Sequence, residues 1–170
     1  MFLKAKAVGS DVTTFVTFGV DFTVNSILDL VSNVQSRCSQ GELQELVLYT
    51  HGVNGSWGVG SDSVGGIMTP SQFDSIKAKF GLLWPYFSTS NGTGRPRLVL
   101  CICEAGKNPD LLVALATAIG QVVYACDGDV RPILGFGLGW WCGNTIEARP
   151  ENGGSWSYVK GIPDPPIILA

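Results

Sequence analysis

Histidine is almost missing from this chain: its 170 residues include one, His51, so imidazole chemistry has a single candidate. Charge is scarce as well. Lys, Arg, Asp and Glu make up 15% of the residues, 11 basic against 14 acidic, for a formal net charge of −3. The basic residues are scattered, which leaves no electrostatic footprint for nucleic acid and argues against a polyanion partner. No apolar run approaches the ~18 residues of a membrane span, so no membrane partner is expected. The opening stretch, MFLKAKAVGSDV, lacks the sustained apolar segment of a secretory signal. The expected setting is therefore the cytoplasm, or the cytosol of a target cell into which the protein is delivered. Cysteine is present in odd number, at Cys38, Cys101, Cys103, Cys126 and Cys142, without the spacing of a disulfide framework. These read as reduced thiols. Cys101 and Cys103 form a C-x-C pair, but one distant histidine leaves too few ligands for zinc, so neither a metal nor a cofactor is expected.

Apolar residues are plentiful. They make up 45% of the chain, and the mean hydropathy of +0.25 suits a sheet covered on both faces. The length fits one domain, residues 1–170, with a sizeable core. No internal repeat or linker divides it, and a Gly/Trp-rich segment begins at about residue 131.

Strand patterns occur at 3–8, 12–18 and 46–51. Between the last two, residues 25–37 put Ile27, Leu28, Val31 and Val34 on one helical face, with Asn25 as the expected N-cap. The glycine- and serine-rich stretch 52–66 reads as a loop. Thr69-Pro70 supplies cap and first-turn chemistry for a helix whose Phe73, Ile76 and Phe80 share a face. A loop around residues 91–96 leads to a second apolar run, 98–102. Asn108-Pro109 opens another helix, through Leu111, Leu112, Leu115 and Ile119, that stops at Gly120. Residues 122–125 form a further buried strand, followed by Asp127-Gly128-Asp129. Beyond these, the glycines and Trp140 and Trp141 suggest a hairpin or a loop-rich cap, then a strand near 156–159 and a tail at 163–170. Alternating strands and helices imply βαβ crossovers, an α/β fold and a mostly parallel central sheet.

In such sheets ligands bind beyond the carboxyl ends of the strands. His51 ends one strand, Cys103 another, and Asp127 follows a third, so the architecture puts them on one rim. A thiol attacks as thiolate, and a nearby imidazole withdraws its proton. Cys103 would then be the nucleophile and His51 the base, later protonating a leaving amine. Gly52 and the Cys103 amide are the candidate oxyanion donors, because glycine permits close backbone approach. Glu104 would disfavour a thiolate if it faced the sulfur, so it is expected to point away or to contact substrate. Strand alternation puts Cys101 on the same face as Cys103, with Cys103 nearer the open end.

A strand ending in His-Gly and, 52 residues after that histidine, a cysteine ending another strand resemble the caspase-like cysteine peptidases, especially CHAT-type and other bacterial caspase-like domains. The similarity spans roughly residues 45 to 130 at motif level. It includes Ile67-Met68-Thr69-Pro70-Ser71-Gln72-Phe73, similar to the capped helix between the two strands, and Val123-Tyr124-Ala125, similar to the next strand. The resemblance implies a caspase-like three-layer sandwich with helices on both faces, a Cys–His dyad and cleavage of peptide bonds in a protein or peptide substrate. The run Cys101-Ile102-Cys103 departs from the Ser-x-Cys or Gln-Ala-Cys of many members, and no processing site for self-cleavage is evident. By the same resemblance Asp127 and Asp129 are candidates for a pocket that favours Arg or Lys at the cleaved position.

Plainer readings stand beside these. Asp127 and Asp129 also suit a turn around Gly128, and Asn54 could orient a loop or the dyad, with an Asx turn explaining it equally well. Trp57, Trp140 and Trp141 are candidates for a substrate wall, with burial in a small aromatic core as the favoured account. At the level of function, the alternatives are a cysteine endopeptidase acting as an effector or toxin, a non-catalytic caspase-like interaction module, and another thiol transferase or hydrolase.

Overall fold

Short, nearly continuous apolar runs build a seven-stranded sheet. The computed structural model describes residues 1–8, 19–89, 95–133, 139–141 and 144–159, with backbone alone for 131–133 and 139–141. The chain runs β1 (Phe2–Ala7), β2 (Phe22–Val24), α1 (Ile27–Arg37), β3 (Glu45–Tyr49), β4 (Gly52–Val53), β5 (Ser56–Val59), β6 (Asp62–Gly65), α2 (Pro70–Gly81) and β7 (Arg97–Cys101). It continues through α3 (Pro109–Ile119), β8 (Val122–Cys126), β9 (Arg131–Ile133), β10 (Gly139–Trp141), β11 (Thr145–Arg149) and β12 (Ser155–Val159). The main sheet has the order β12-β11-β8-β7-β3-β1-β2. All pairs from β2 to β8 are parallel, and β11 and β12 add antiparallel strands at one side. The chain is thus α/β with a mostly parallel mixed sheet.

The two faces of this sheet differ. Leu46 and Leu48 of β3, Leu98 and Leu100 of β7 and Val123 and Ala125 of β8 join one core with the buried sides of all three α-helices. On the opposite face, Val47, Val99, Cys101, Val122 and Tyr124 form a smaller cluster that includes no helix residue. Helices on both faces were expected; among the described residues the α-helices share one.

Local chemistry fixes the helix ends. Thr69 caps α2 by accepting the Gln72 N–H, while the Gln72 side chain accepts the Thr69 N–H. Asn108 caps α3 through the Leu111 N–H, and the helix stops at Gly120 as expected. The cap of α1 is Ser26, not Asn25: the Ser26 hydroxyl accepts the Asp29 N–H, and the Asp29 carboxylate takes the Asn25 N–H.

The largest difference from expectation lies at 52–66, which is no loop but a three-stranded antiparallel sheet, β4-β5-β6. Asn54 and Gly55 both have positive φ, 50° and 74°, and form the two-residue turn that joins β4 to β5. Trp57 is 5% exposed and stands edge-on to Phe80, ring centroids 6.2 Å apart, so it is a core aromatic and does not line an open cleft. A second difference is β11, whose Glu147 and Arg149 obscured the strand pattern. Glu147 is buried because it accepts the Tyr124 hydroxyl at 2.6 Å and pairs with Arg149. The expectation of five reduced thiols also fails: Cys126 is disulfide-bonded, whereas Cys38, Cys101 and Cys103 are free. Cys142, the expected strand at 12–18, the loop residues 91–94 and the tail at 163–170 lie outside the described residues.

Phe80 is fully buried between α2 and the small sheet. Phe80→Ala is expected to cost about 3–5 kcal/mol in urea unfolding, and to raise the solvent exposure of Trp57 fluorescence.

Candidate active site

Parallel pairing in register determines what meets at the rim. Tyr49 lies opposite Cys101, the last pair of β3 and β7, so two residues further along each chain stand His51 and Cys103. His51 is exposed and Cys103 partly exposed. Cys101, the last residue of β7, is only 6% exposed. Burial pushes its thiol well above the ordinary range, and its hydrogen bond to Tyr49 offsets this only in part. Cys101 therefore stays a thiol at neutral pH, and Cys103 is the sulfur within reach of solvent.

The chain around Cys103 is held from two sides. From β8's side, the Glu104 N–H donates to the Gly128 carbonyl at 2.9 Å, and the Val130 N–H donates to the Cys103 sulfur at 3.4 Å. From the histidine side comes the β4–β5 hairpin. A methyl group on Gly52 would lie 2.4 Å from the Cys103 carbonyl oxygen and 2.6 Å from Ile102 Cγ2, so the two backbones touch there. Only glycine fits this approach. In a two-residue hairpin the closing pair, here Val53 with Ser56, exchanges both ladder hydrogen bonds and the next pair does not. The Gly52 N–H therefore points away from β5. The Glu104 N–H, by contrast, is taken up by Gly128.

The remaining expected site residues divide clearly. Glu104 adopts the left-handed conformation, φ 57°, rare for a residue with a side chain. Its carboxylate accepts the Asn54 N–H at 2.6 Å and forms an ion pair with Lys107. These bonds hold the group below the usual carboxylate range, the Asn54 N–H contributing most. It is a structural clasp, not a free substrate contact. Asp127 accepts the Asn144 N–H at 2.7 Å and the Asn144 side-chain amide at 2.9 Å, closing the turn where β8 and β11 pair. Both of its oxygens are thus occupied by Asn144. Asp129 is exposed beside it. Trp57 is in the core, as described. The imidazole and the thiol share the rim, although no hydrogen bond joins them. Among the described residues no group of three or more metal-ligating side chains occurs, and no helix is long and apolar enough to cross a membrane.

Sequence reading missed the clasp between Glu104 and Asn54. A signal for its hairpin half was present: Asn-Gly between Val53 and Ser56 is a strong two-residue turn sequence. Nothing in the sequence announces a carboxylate reaching 50 residues back to a backbone N–H.

Gly52→Ala is expected to destabilise the fold by about 1–3 kcal/mol, because the group in its way is backbone and must shift. Urea unfolding measures the loss, and a slower alkylation of Cys103 relative to its own unfolded control is expected to accompany it.

The chain matches no protein-family model, no curated protein and no solved structure.

Proposed function

We propose that this chain is a caspase-like cysteine endopeptidase in which Cys103 is the nucleophile and His51 its base. The observation that carries this reading is the in-register parallel pairing of β3 with β7, which brings both residues to one solvent-facing rim. His51 takes the thiol proton as the Cys103 sulfur bonds to the carbonyl carbon of the scissile amide. The negative charge that develops on the carbonyl oxygen is met by the N–H groups of Gly52 and Cys103. The C–N bond then breaks, and the imidazolium gives its proton to the leaving amine. Water attacks the resulting thioester, losing a proton to His51, and the carboxylic acid leaves as the thiol re-forms. No hydrogen bond joins imidazole and thiol in the unliganded protein; such contacts often tighten only when substrate binds.

The same proposal extends to the fold. Val47 and Val99 on the helix-free face are 1% and 0% exposed, so that face is covered too, which supports a third layer of the caspase-like sandwich. It extends also to substrate choice. In this reading Asp129, exposed just past the end of β8, is an acidic residue that would favour Arg or Lys at the cleaved position. A role as an effector delivered to another cell belongs to this reading as well. The Cys126 disulfide fits a protein that spends part of its life in an oxidising compartment.

An electrophilic peptide ending in Arg tests the proposal. Mass spectrometry is expected to find one equivalent on Cys103, with Cys101→Ala labelled like the parent and His51→Ala slowed at least ~100-fold. Absence of labelling, or labelling indifferent to His51, would favour the non-catalytic interaction module instead. A fluorogenic panel that prefers Asp or an apolar residue at the cleaved position would remove Asp129 from the specificity pocket.

A further inference from the structure

We propose that Glu104 is a positioning residue that acts through His51: its carboxylate clasps the β4–β5 hairpin to the Cys103 turn and so sets where the imidazole stands. This inference rests on the Cys103–His51 reading and adds a residue to it. Four observations converge. Glu104 directly follows the nucleophile and holds an uncommon left-handed conformation, which turns its side chain out of the β7 line. Its own N–H is tied to Gly128, so its backbone cannot drift. Its carboxylate accepts the Asn54 N–H at 2.6 Å, three residues beyond His51, and is itself fixed by the Lys107 ammonium. Gly52, next to His51, already touches the Cys103 carbonyl. The segment bearing the histidine is thus anchored to the cysteine turn on both sides of Val53, once by backbone contact and once by the carboxylate.

The consequence is geometric. His51 is exposed and no hydrogen bond to its ring is present among the described residues, so nothing on the imidazole itself fixes its distance from the sulfur. What fixes it is the backbone to which it is attached. Removing the carboxylate frees the Asn54 N–H and lets the hairpin pivot about the Gly52 contact. A glutamine at 104 keeps a carbonyl oxygen for the Asn54 N–H and loses only the attraction to Lys107. The clasp should therefore survive Glu104→Gln and fail in Glu104→Ala.

The pH profile of Cys103 alkylation by iodoacetamide provides the test, because a merely structural role would not move it. Parent, His51→Ala, Glu104→Ala, Glu104→Gln and Lys107→Ala proteins are compared, all with Cys101 replaced by Ala. The expected result is that the imidazole-dependent limb of the profile is lost in His51→Ala and displaced towards that form in Glu104→Ala. Its rate at neutral pH is expected to fall about tenfold, whereas Glu104→Gln and Lys107→Ala stay within about twofold of the parent. A parent profile that differs from His51→Ala but coincides with Glu104→Ala would overturn the clasp alone. Coincidence of the parent with His51→Ala would overturn the dyad and the clasp together. A measurement on the parent, independent of how Glu104→Ala folds, accompanies the pH profiles. The Asn54 amide resonance in an acid titration is expected to follow the Glu104 carboxylate, with a midpoint below the ordinary glutamate value. An Asn54 resonance that does not respond to this titration would contradict the clasp.

Discussion

Pairing of β3 with β7 in parallel and in register is the constraint on which the rest of the molecule depends. The two strands lie at the middle of the sheet, flanked by β1 and β8, and their alternate residues are sealed on both sides. Slipping β7 by one residue would turn Leu98 and Leu100 out of the helical core and drive Arg97 and Cys101 into it. Burial energy on both faces therefore defends a register that sets His51 and Cys103 just past the ends of neighbouring strands. The site inherits its precision from the core rather than from contacts of its own.

Past the strand ends the two chains run side by side in the same direction, and they cannot go on doing so without a sheet to extend. Each departs at once, by different means. After β3 the chain doubles back as a hairpin, and the missing side chain at Gly52 lets that hairpin lie directly against the Cys103 carbonyl. After β7 the left-handed residue Glu104 deflects the chain into a short helical turn, Ala105–Lys107, that leads to α3. A residue with φ near 57° costs energy unless surrounding contacts over-determine it, and here they do: Gly128 holds its N–H while Asn54 and Lys107 hold its carboxylate. The same side chain that offsets the strain of the turn thereby joins the two departing chains.

The parts of this arrangement that local chemistry dictates are legible in the sequence. Asn108-Pro109 and Thr69-Pro70 announce helix starts because cap and first-turn preferences are local, and the central strands show as runs of apolar residues because both their faces are buried. Legibility fails where a long-range partner changes the meaning of a residue. Glu147 looks like a surface residue until Tyr124 supplies its hydrogen bond, so β11 does not read as a strand. Trp57 fits both a cleft wall and a core aromatic until Phe80 is set against it. Asp127 fits both a turn and a pocket until β11 delivers Asn144 to it. The positions of His51 and Cys103 belong to the legible part, since both follow from strand ends. Their fixation does not, since it runs through a carboxylate and a backbone N–H 50 residues apart.

The cysteines make the same point about environment. Cys101 and Cys103 lie two residues apart, and the strand ends between them. Cys101 sits under its neighbours, where burial keeps it protonated and hydrogen-bonded to Tyr49. Cys103 stands beyond the last ladder pair, touched by the Val130 N–H and open to the rim. One step deeper into the sheet is enough to bury the first sulfur while the second meets solvent. Cys126 ends the neighbouring strand and is oxidised in a disulfide, so three cysteines at or just past strand ends occupy three different environments. Composition assigns them a single state, whereas depth along the strand and the choice of neighbour distinguish them.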